Sequence, residues 1–299
     1  MRKVIGFIAL CLIWGSTWAA IRVLVLDVPP LHAAAVRFLI AGVLALVLML
    51  LRGERIPRGP EWRSIAILGV AIIAVPFGII FWAERTVSSG TSALIYAAMP
   101  VFTAFLTPLL AGAGVRKDVP RRAVQAMIIG LGGIAFLFTN ALNVSRAQTM
   151  GILALVVAVG MSAAATIYAK GVLHGLAYTM SAAWQFLFAA VLLEVASLFF
   201  ERGQAAVWSH QAIEALLFLS VFGSVIAFTL YYWLLRRMEP YRLTLMQLLL
   251  PIVAVSEGAL LLREVLTWQM AVAFVIVLGS VVVVMRSSEM DEKPVSLRE

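Results

Sequence analysis

Five polar or ionisable residues interrupt stretches of this chain that are otherwise apolar: Arg37, Gln185, Glu194, Gln247 and Glu257. Such side chains are costly in apolar surroundings, so they are kept mainly where they bind something, pair with one another or move a proton. A carboxylate can take up a proton in one conformation and release it in another, and an arginine can hold a carboxylate by an ion pair. These residue types therefore indicate binding and gating chemistry.

Two tryptophans in the first apolar stretch are further candidates for a binding site. Trp14 and Trp18 are one helical turn apart and share a helix face with Cys11 and Arg22. Tryptophan in a membrane helix usually lies at the water interface, whereas Trp14 is near the middle of its stretch, beside Gly15. We interpret both tryptophans as lining a central cavity. The alternative for Trp14 is a packing residue that fills the gap over the glycine.

Signatures of common enzymes are absent from the sequence. It contains no Gly-x-x-x-x-Gly-Lys-Ser/Thr loop, no His-Glu-x-x-His pair and no Gly-x-Ser-x-Gly element. The single cysteine, Cys11, excludes an internal disulfide and a cysteine metal site. We therefore predict a protein that is not an enzyme and has no cofactor and no metal site.

The elements that must position these residues follow from composition. Apolar residues make up 63% of the 299 residues, charged residues make up 13%, and the mean hydropathy is +1.02, too much apolar surface for a water-soluble domain. The apolar residues form uniform runs of about 20 residues, the length at which a helix crosses a bilayer. We expect the first run to be retained as a helix, because it is too long for the core of a signal peptide. The prediction is an all-α integral membrane protein with ten spanning helices, at residues 4–26, 31–51, 65–83, 92–111, 123–141, 150–170, 179–200, 213–235, 244–262 and 267–285.

The sequence also repeats itself. Residues 35–46 recur as residues 183–194 with six of twelve positions identical, and the segment from residues 81–85 to Pro100 recurs 151 positions later, up to Pro251. Each half holds five predicted helices, and this odd number means that the second half enters the membrane from the opposite side. We predict two inverted five-helix repeats and a cytoplasmic tail, at residues 1–142, 148–286 and 287–299.

Two prolines hold matching positions in the repeat. Pro100 and Pro251 fall near the middle of their predicted helices, where proline removes a backbone hydrogen bond and bends the helix. We interpret them as hinges, with a fixed kink as the alternative. Tyr96 and Gln247 each lie four residues before one of these prolines, so we expect their side chains to face the loosened backbone and the cavity.

Basic residues are distributed unevenly between the two sides of the membrane. If the N-terminus is cytoplasmic, 17 of the 23 lysines and arginines lie in or beside cytoplasmic segments, as the positive-inside rule requires. Both termini are therefore predicted to be cytoplasmic. The same distribution explains the net charge of +8 without a nucleic-acid partner, because the sequence has no basic patch with interleaved aromatic residues.

Several of these elements resemble one family. The first helix contains Leu-Ile-Trp-Gly-Ser-Thr-Trp at residues 12–18, the second contains Arg37-Phe38, and the fourth and ninth contain Pro100 and Pro251. A charged residue also precedes a glycine by 15 positions around the last helix of each half, in the pairs Asp118 and Gly133, and Glu264 and Gly279. In these features the chain resembles the EamA-type exporters of the drug/metabolite transporter superfamily, over essentially all of residues 1–290.

The resemblance implies that small metabolites such as amino acids are exported through a central cavity by alternating access. It places the chain in the inner membrane as a monomer whose partners are the substrate and the lipid bilayer. Within the family, the chain is similar to the exporters of aromatic and neutral amino acids. The halves are unequal, however: Ser162 takes the place of Trp14, and Gln185 that of Arg37. A site motif can therefore not be copied from one half to the other.

We predict substrate contact by Trp14, Trp18, Tyr96, Gln185 and Gln247. An aromatic cavity with few fixed charges suits a small zwitterion with a neutral or aromatic side chain, whereas a phosphorylated sugar would call for converging arginines or lysines. The alternatives are a proton-coupled exporter of other metabolites or drugs, a channel, or a membrane protein that transports nothing. A channel would need a continuous polar face, which the sequence lacks.

The predicted topology brings Arg22, Arg37, Glu194 and Glu257 to one depth, in the outer half of the membrane. We interpret them as a paired network that closes the external mouth. The alternatives are static packing salt bridges, or an Arg22 that reaches the lipid headgroups. If a carboxylate carries protons, Glu257 is the first candidate and Glu194 the second. A carboxylate held permanently by Arg37 would stay ionised and could not couple transport to protons. We favour facilitated export without proton coupling.

The topology can be tested by cysteine labelling from outside intact cells. Cysteines introduced in the loops at residues 52–63 and 116–122 are expected to resist an impermeant thiol reagent, because the basic residues place these loops in the cytoplasm. A cysteine at Ala147 is expected to react. The unmodified chain, which carries only Cys11, is the control. Labelling of the first two loops from outside would contradict the inverted arrangement.

Overall fold

The computed structural model describes residues 2–112, 115, 118–137, 145–173, 175–261 and 268–289. This part of the chain is helical and contains no strand. The helices are α1 (Arg2–Asp27), α2 (Pro30–Leu51), α3 (Pro60–Leu68), α4 (Val75–Ala83), α5 (Ser89–Tyr96), α6 (Met99–Leu110), α7 (Arg121–Leu137), α8 (Arg146–Val172), α9 (Tyr178–Phe200), α10 (His210–Ser220), α11 (Ala227–Leu235), α12 (Pro240–Leu243), α13 (Met246–Leu261) and α14 (Trp268–Glu289). Two π-helical turns, Gly69–Ala74 and Val221–Ile226, join α3 to α4 and α10 to α11.

Seven helical stretches in the described residues are long and apolar enough to cross a membrane: Arg2–Asp27, Pro30–Leu51, Pro60–Ala83, Ser89–Leu110, Arg146–Val172, Tyr178–Phe200 and His210–Leu235. The other three predicted spans, 123–141, 244–262 and 267–285, overlap α7, α13 and α14 and extend into residues outside the described part of the chain. Large apolar side chains such as Leu51, Phe105 and Phe200 cover the outside of the bundle. An exposed apolar exterior is what a lipid surrounding requires. The chain is therefore an all-α, multi-pass membrane protein.

Among the described residues, the most extensive helix contact is that of α2 with α9, and small residues allow the close approach. A methyl group added at Gly42 would lie 2.7 Å from Leu187 Cδ2 and 3.2 Å from its backbone nitrogen. Membrane helices pack closely where glycine and alanine face each other. The helices α7 and α14 form a second such pair, α1 packs on α13, and α8 packs on α6.

Carboxylates cap the two helices of this central pair reciprocally. Glu201, just after α9, accepts hydrogen bonds from the backbone N–H groups of Leu31 and His32 at the start of α2, at 2.9 and 3.1 Å. Glu54, just after α2, accepts from the N–H of Met180 at the start of α9, at 3.0 Å. N-terminal N–H groups have no partner within their own helix, so each helix end is satisfied by the helix beside it.

We expect Glu201→Ala to lower the thermal stability of the purified protein. The substitution leaves the Leu31 and His32 N–H groups without their acceptor, and an unsatisfied buried group costs about 1–3 kcal/mol. The measurement is the unfolding midpoint in detergent. Glu214→Ala is the matched control, because Glu214 is exposed and pairs with His210 on its own helix. Equal midpoints for the two variants would show that the cap contributes nothing.

Candidate functional site: a central aromatic cavity

A cavity of about 70 Å³ lies in the middle of the bundle. Its wall is formed by residues from α1, the first π turn, α4, α5, α6, α8, α11 and α13: Trp14, Thr17, Trp18, Ile21, Ile72, Pro76, Phe77, Ile80, Tyr96, Met99, Ser162, Thr166, Phe228, Tyr231, Met246, Gln247 and Leu250. Typical small-molecule pockets have about 300–1,000 Å³. In this conformation the cavity therefore has room for only a few water molecules and must widen to take a metabolite.

The wall is built symmetrically from the two halves of the chain. Twelve of its residues form pairs at the repeat spacing of 148 or 151 positions: Trp14 and Ser162, Trp18 and Thr166, Phe77 and Phe228, Ile80 and Tyr231, Tyr96 and Gln247, Met99 and Leu250. Equivalent positions converge on one space, but different side chains occupy them. The first half contributes both tryptophans, and the second contributes the shorter hydroxyl residues.

Aromatic rings dominate the contacts inside the wall. The centroid of Trp14 lies 5.3 Å from that of Phe228 and 5.5 Å from that of Tyr231. Trp18 packs against Tyr96 with centroids 5.4 Å apart. Such tilted and edge-to-face pairs are favourable beyond the area they bury. The wall therefore offers ring faces and edges to a bound molecule.

The second π turn holds Trp14 in place. The Gly223 carbonyl oxygen accepts a hydrogen bond from Trp14 Nε1 at 3.1 Å and another from Arg37 Nη2 at 3.2 Å. Arg37 Nε also donates to Ser224 Oγ at 3.0 Å. A π turn shifts the backbone hydrogen bonds by one residue, and such turns are frequent at functional sites. The indole N–H of Trp14 is therefore committed to the scaffold, and its ring faces the cavity.

Arg37 does not form the ion pair that was expected from the sequence. It is fully buried, and its guanidinium carbon lies 4.9 Å from the ring centroid of Phe77 and 5.8 Å from that of Phe81. Glu194 instead pairs with His32, at 2.9 Å between Oε2 and Nδ1. The predicted ion-pair network of Arg37 with Glu194 is thus not formed. The π turn binds Nε and Nη2 of Arg37 instead, and Nη1 has no hydrogen-bond partner among the described residues. The side chain of Glu257 lies outside the described residues.

Gln185 does not reach the cavity wall. The side chain is fully buried, and its Oε1 accepts a 2.5 Å hydrogen bond from the hydroxyl of Tyr232 on α11. The expectation of substrate contact followed from its equivalence to Arg37, which is itself behind the wall. Both residues lie on the central pair α2 and α9 and bind the scaffold.

The two prolines have unequal surroundings. α5 ends at Tyr96 and α6 begins at Met99, so Pro100 stands in the first turn of a new helix, where proline costs no hydrogen bond. Pro251 lies inside α13, where it removes one, and the chain breaks earlier, between α12 and α13. The prediction of two equivalent mid-helix kinks is wrong in this respect. Tyr96 and Gln247 nevertheless lie in the same wall.

Three polar atoms of the wall are buried without a hydrogen-bond partner among the described residues. They are the indole nitrogen Nε1 of Trp18, a donor, the amide oxygen Oε1 of Gln247, an acceptor, and the hydroxyl of Tyr96, which can be either. Buried polar groups are almost always satisfied in native proteins, so exceptions call for a missing partner. A small molecule with both an acceptor and a donor would satisfy the indole nitrogen and the amide oxygen at once.

The sequence interpretation missed one ionisable residue near the cavity. Glu84 follows α4 and is fully buried, and neither carboxylate oxygen accepts a hydrogen bond from any described residue. Ile72, Pro76 and Ile80 line the cavity at intervals of four, and Glu84 is the next position in that series. The spacing could have identified it, but its place at the end of an apolar run made it look like a loop residue.

Known proteins are similar to this chain over most of its length. The model of the EamA-like transporter family matches residues 1–139 and 149–286. The uncharacterized inner membrane transporter YedA of Escherichia coli (strain K12) is 34% identical over 267 residues, which are 87% of this chain and 82% of YedA. The protein PagO of Salmonella typhimurium (strain LT2) is 30% identical over 260 residues, 86% of this chain and 84% of PagO. A protein of known crystal structure, 18% identical, has the same fold, with a TM-score of 0.81 over 98% of this chain and 99% of the other.

We expect Gly223→Ala to displace the scaffold around Trp14. The added methyl group would lie 2.9 Å from Thr17 Cγ2 and 3.2 Å from Arg37 Nη2, and overpacking of this kind costs about 1–3 kcal/mol. The unfolding midpoint in detergent should fall. Gly132→Ala is the matched control, because a methyl group at Gly132 meets nothing within 4 Å. An unchanged midpoint for Gly223→Ala would mean that this contact relaxes without cost.

Proposed function

Because the chain belongs to the EamA-like transporter family of the drug/metabolite transporter superfamily, we propose that it exports small zwitterions, in particular neutral and aromatic amino acids, across the inner membrane. The observation that carries this proposal is the cavity wall, which is aromatic, holds an unpaired donor and an unpaired acceptor, and has no charged side chain among its residues. The substrate carboxylate would accept from Trp18 Nε1, and the ammonium group would donate to Gln247 Oε1. An apolar or aromatic side chain would pack against Trp14 and Phe228.

Other substrate classes fit this wall less well. Phosphate esters are recognised by arginine and lysine side chains, and the lining residues include neither. The buried Arg37 is hydrogen-bonded to the π turn behind the wall. A channel would require a continuous polar path, whereas the wall is mainly apolar and the cavity narrow. A carrier that binds its substrate and then opens fits better.

The proposed architecture is ten spanning helices in two inverted five-helix repeats, with both termini in the cytoplasm. It is supported by the paired wall positions, by the reciprocal caps of α2 and α9, and by the two π turns, which begin 152 positions apart at Gly69 and Val221. In such transporters the two halves rock against each other around a central site. The wall is complete within one chain, which fits a functional monomer. The helix break before Pro100 and the chain break before Pro251 would serve as hinges.

The proposal is tested by counterflow of radiolabelled phenylalanine in proteoliposomes. Wild-type protein is expected to show saturable counterflow, and Trp14→Ala is expected to raise the half-saturating concentration about tenfold, since losing aromatic contacts costs about 1.5 kcal/mol. Trp18→Phe keeps an aromatic ring but removes the indole N–H, and should weaken binding of the zwitterion as well. Trp82→Ala is the matched control, because Trp82 is exposed on the outside of the bundle.

Three outcomes would count against the proposal. The first is transport of phosphate esters without transport of amino acids. Flux that does not saturate would indicate a channel. A Trp14→Ala variant that behaves like Trp82→Ala at equal protein level would show that the cavity is not part of the transport path.

A further inference from the structure

Three polar residues lie one helical turn outward from the wall of the cavity, and one of them, Arg22, is only partly buried. Arg22 follows the wall residue Trp18 by four positions on α1, and Glu84 follows Ile80 by four after α4. Residues four apart lie on the same face of a helix, so both continue cavity-facing series. Ser92 precedes the wall residue Tyr96 by four on α5 and is also buried. In the proposed topology all three are at the external end.

These residues carry polar atoms without hydrogen-bond partners in the described part of the chain. The atoms are Nη1 of Arg22, both carboxylate oxygens of Glu84 and the hydroxyl of Ser92. An ionised carboxylate without donors is unfavourable in buried surroundings, so this arrangement suits the protonated carboxyl group. The helix that carries Arg22, α1, packs against α4, which Glu84 directly follows. The external end thus holds an arginine and a carboxyl group that could form an ion pair but do not form one in this structure.

At the internal end, the residue equivalent to Arg22 in the repeat does contact the end of the neighbouring helix. Lys170 lies 148 positions after Arg22, and Leu235 lies 151 positions after Glu84, which are the two repeat spacings. Lys170 Nζ donates to the carbonyl oxygens of Leu235 and Met238, at 2.8 and 3.0 Å. A basic side chain of α8 therefore ties the end of α11 at the cytoplasmic side. Its equivalent, Arg22 of α1, has not tied the end of α4 at the external side.

We propose that Arg22 and Glu84 form the external gate of the cavity: their ion pair closes it, and a proton that binds to Glu84 from the external water opens it. The proton adds to a carboxylate oxygen of Glu84, which removes the negative charge that holds Arg22. When the proton returns to the external water, the ion pair forms again and the gate closes. The inference deepens the proposed function and rests on its topology, in which this end of the cavity faces outward.

Other charged groups on the elements packed against α4 are engaged or remote. His32 on α2 pairs with Glu194, and Arg37 on α2 binds Ser224 and Gly223. Arg146, at the start of α8, is exposed, and the first π turn contains no charged residue. Arg85, next to Glu84 in the chain, donates to Gln204 on the surface at 2.9 Å. Arg22, which lies with Glu84 at the outer end of the cavity-facing series, is therefore the proposed counterion for Glu84.

The gate is tested by access to the cavity from outside intact cells. A reporter cysteine replaces the wall residue Met99 in a Cys11→Ser background, and its reaction with an impermeant thiol reagent is compared in acidic and alkaline external buffer. The rate is divided by that of a cysteine at Ala147, which corrects for the lower reactivity of thiols in acid. With Glu84 intact, the corrected rate should be about tenfold higher in acid. With Glu84→Gln or Arg22→Gln it should be high in both buffers.

Controls separate the gate from folding and from the transport function. Glu214→Gln alters an exposed carboxylate and should keep the pH dependence, as should Glu84→Asp, which retains a carboxyl group. If Glu84→Gln is not inserted in the membrane, Arg22→Gln provides the same test. A corrected rate that does not depend on pH with Glu84 intact, or one that still depends on it in Glu84→Gln, would overturn the gate. Loss of phenylalanine counterflow in the wild type would instead count against the proposed function, and failure of the Ala147 cysteine to react would count against the topology.

Discussion

Backbone hydrogen bonding in hydrocarbon is the constraint from which the rest of this structure follows. No water is available in the membrane core to satisfy an open N–H or C=O group, so each helix end and each irregular turn needs a partner from the protein. Glu54 and Glu201 meet this need for the central helices α2 and α9, each capping the helix to which its own is packed. The pair is thereby fixed in register, and the cavity is built around it.

The same constraint explains how a buried arginine is tolerated. Arg37 would be costly in the membrane without partners, but the second π turn offers it the Gly223 carbonyl and the Ser224 hydroxyl, and Phe77 offers a ring face. Because Trp14 donates to that same carbonyl, the arginine and the cavity wall share one anchor. Binding surface and scaffold are therefore coupled: a change that moves the π turn moves Trp14 as well.

Part of this arrangement could be predicted from the sequence, for a physical reason. Helical periodicity and the internal repeat are local properties, and they suffice to bring Trp14, Trp18, Tyr96 and Gln247 to one wall. The partner of a buried polar group is not local: Arg37 binds a residue 187 positions away, and Gln185 binds a tyrosine 47 positions away. The π turns were not predicted either, because apolar sequences such as Gly69–Ala74 carry no signal that distinguishes them from an α-helix.

The two ends of the cavity show how an internal repeat can give a transporter an asymmetric response. In the proposed topology Lys170 lies at the cytoplasmic end, where it is held by backbone carbonyl oxygens that do not titrate at physiological pH. At the external end the proposed partner of Arg22 is the carboxyl group of Glu84, and carboxyl groups do titrate. The same fold element is therefore insensitive to pH on one side and sensitive on the other. A gate that responds to protons on one side alone would shift the side to which the empty carrier opens, whereas two identical gates in a symmetric pair of halves would leave it no preferred side.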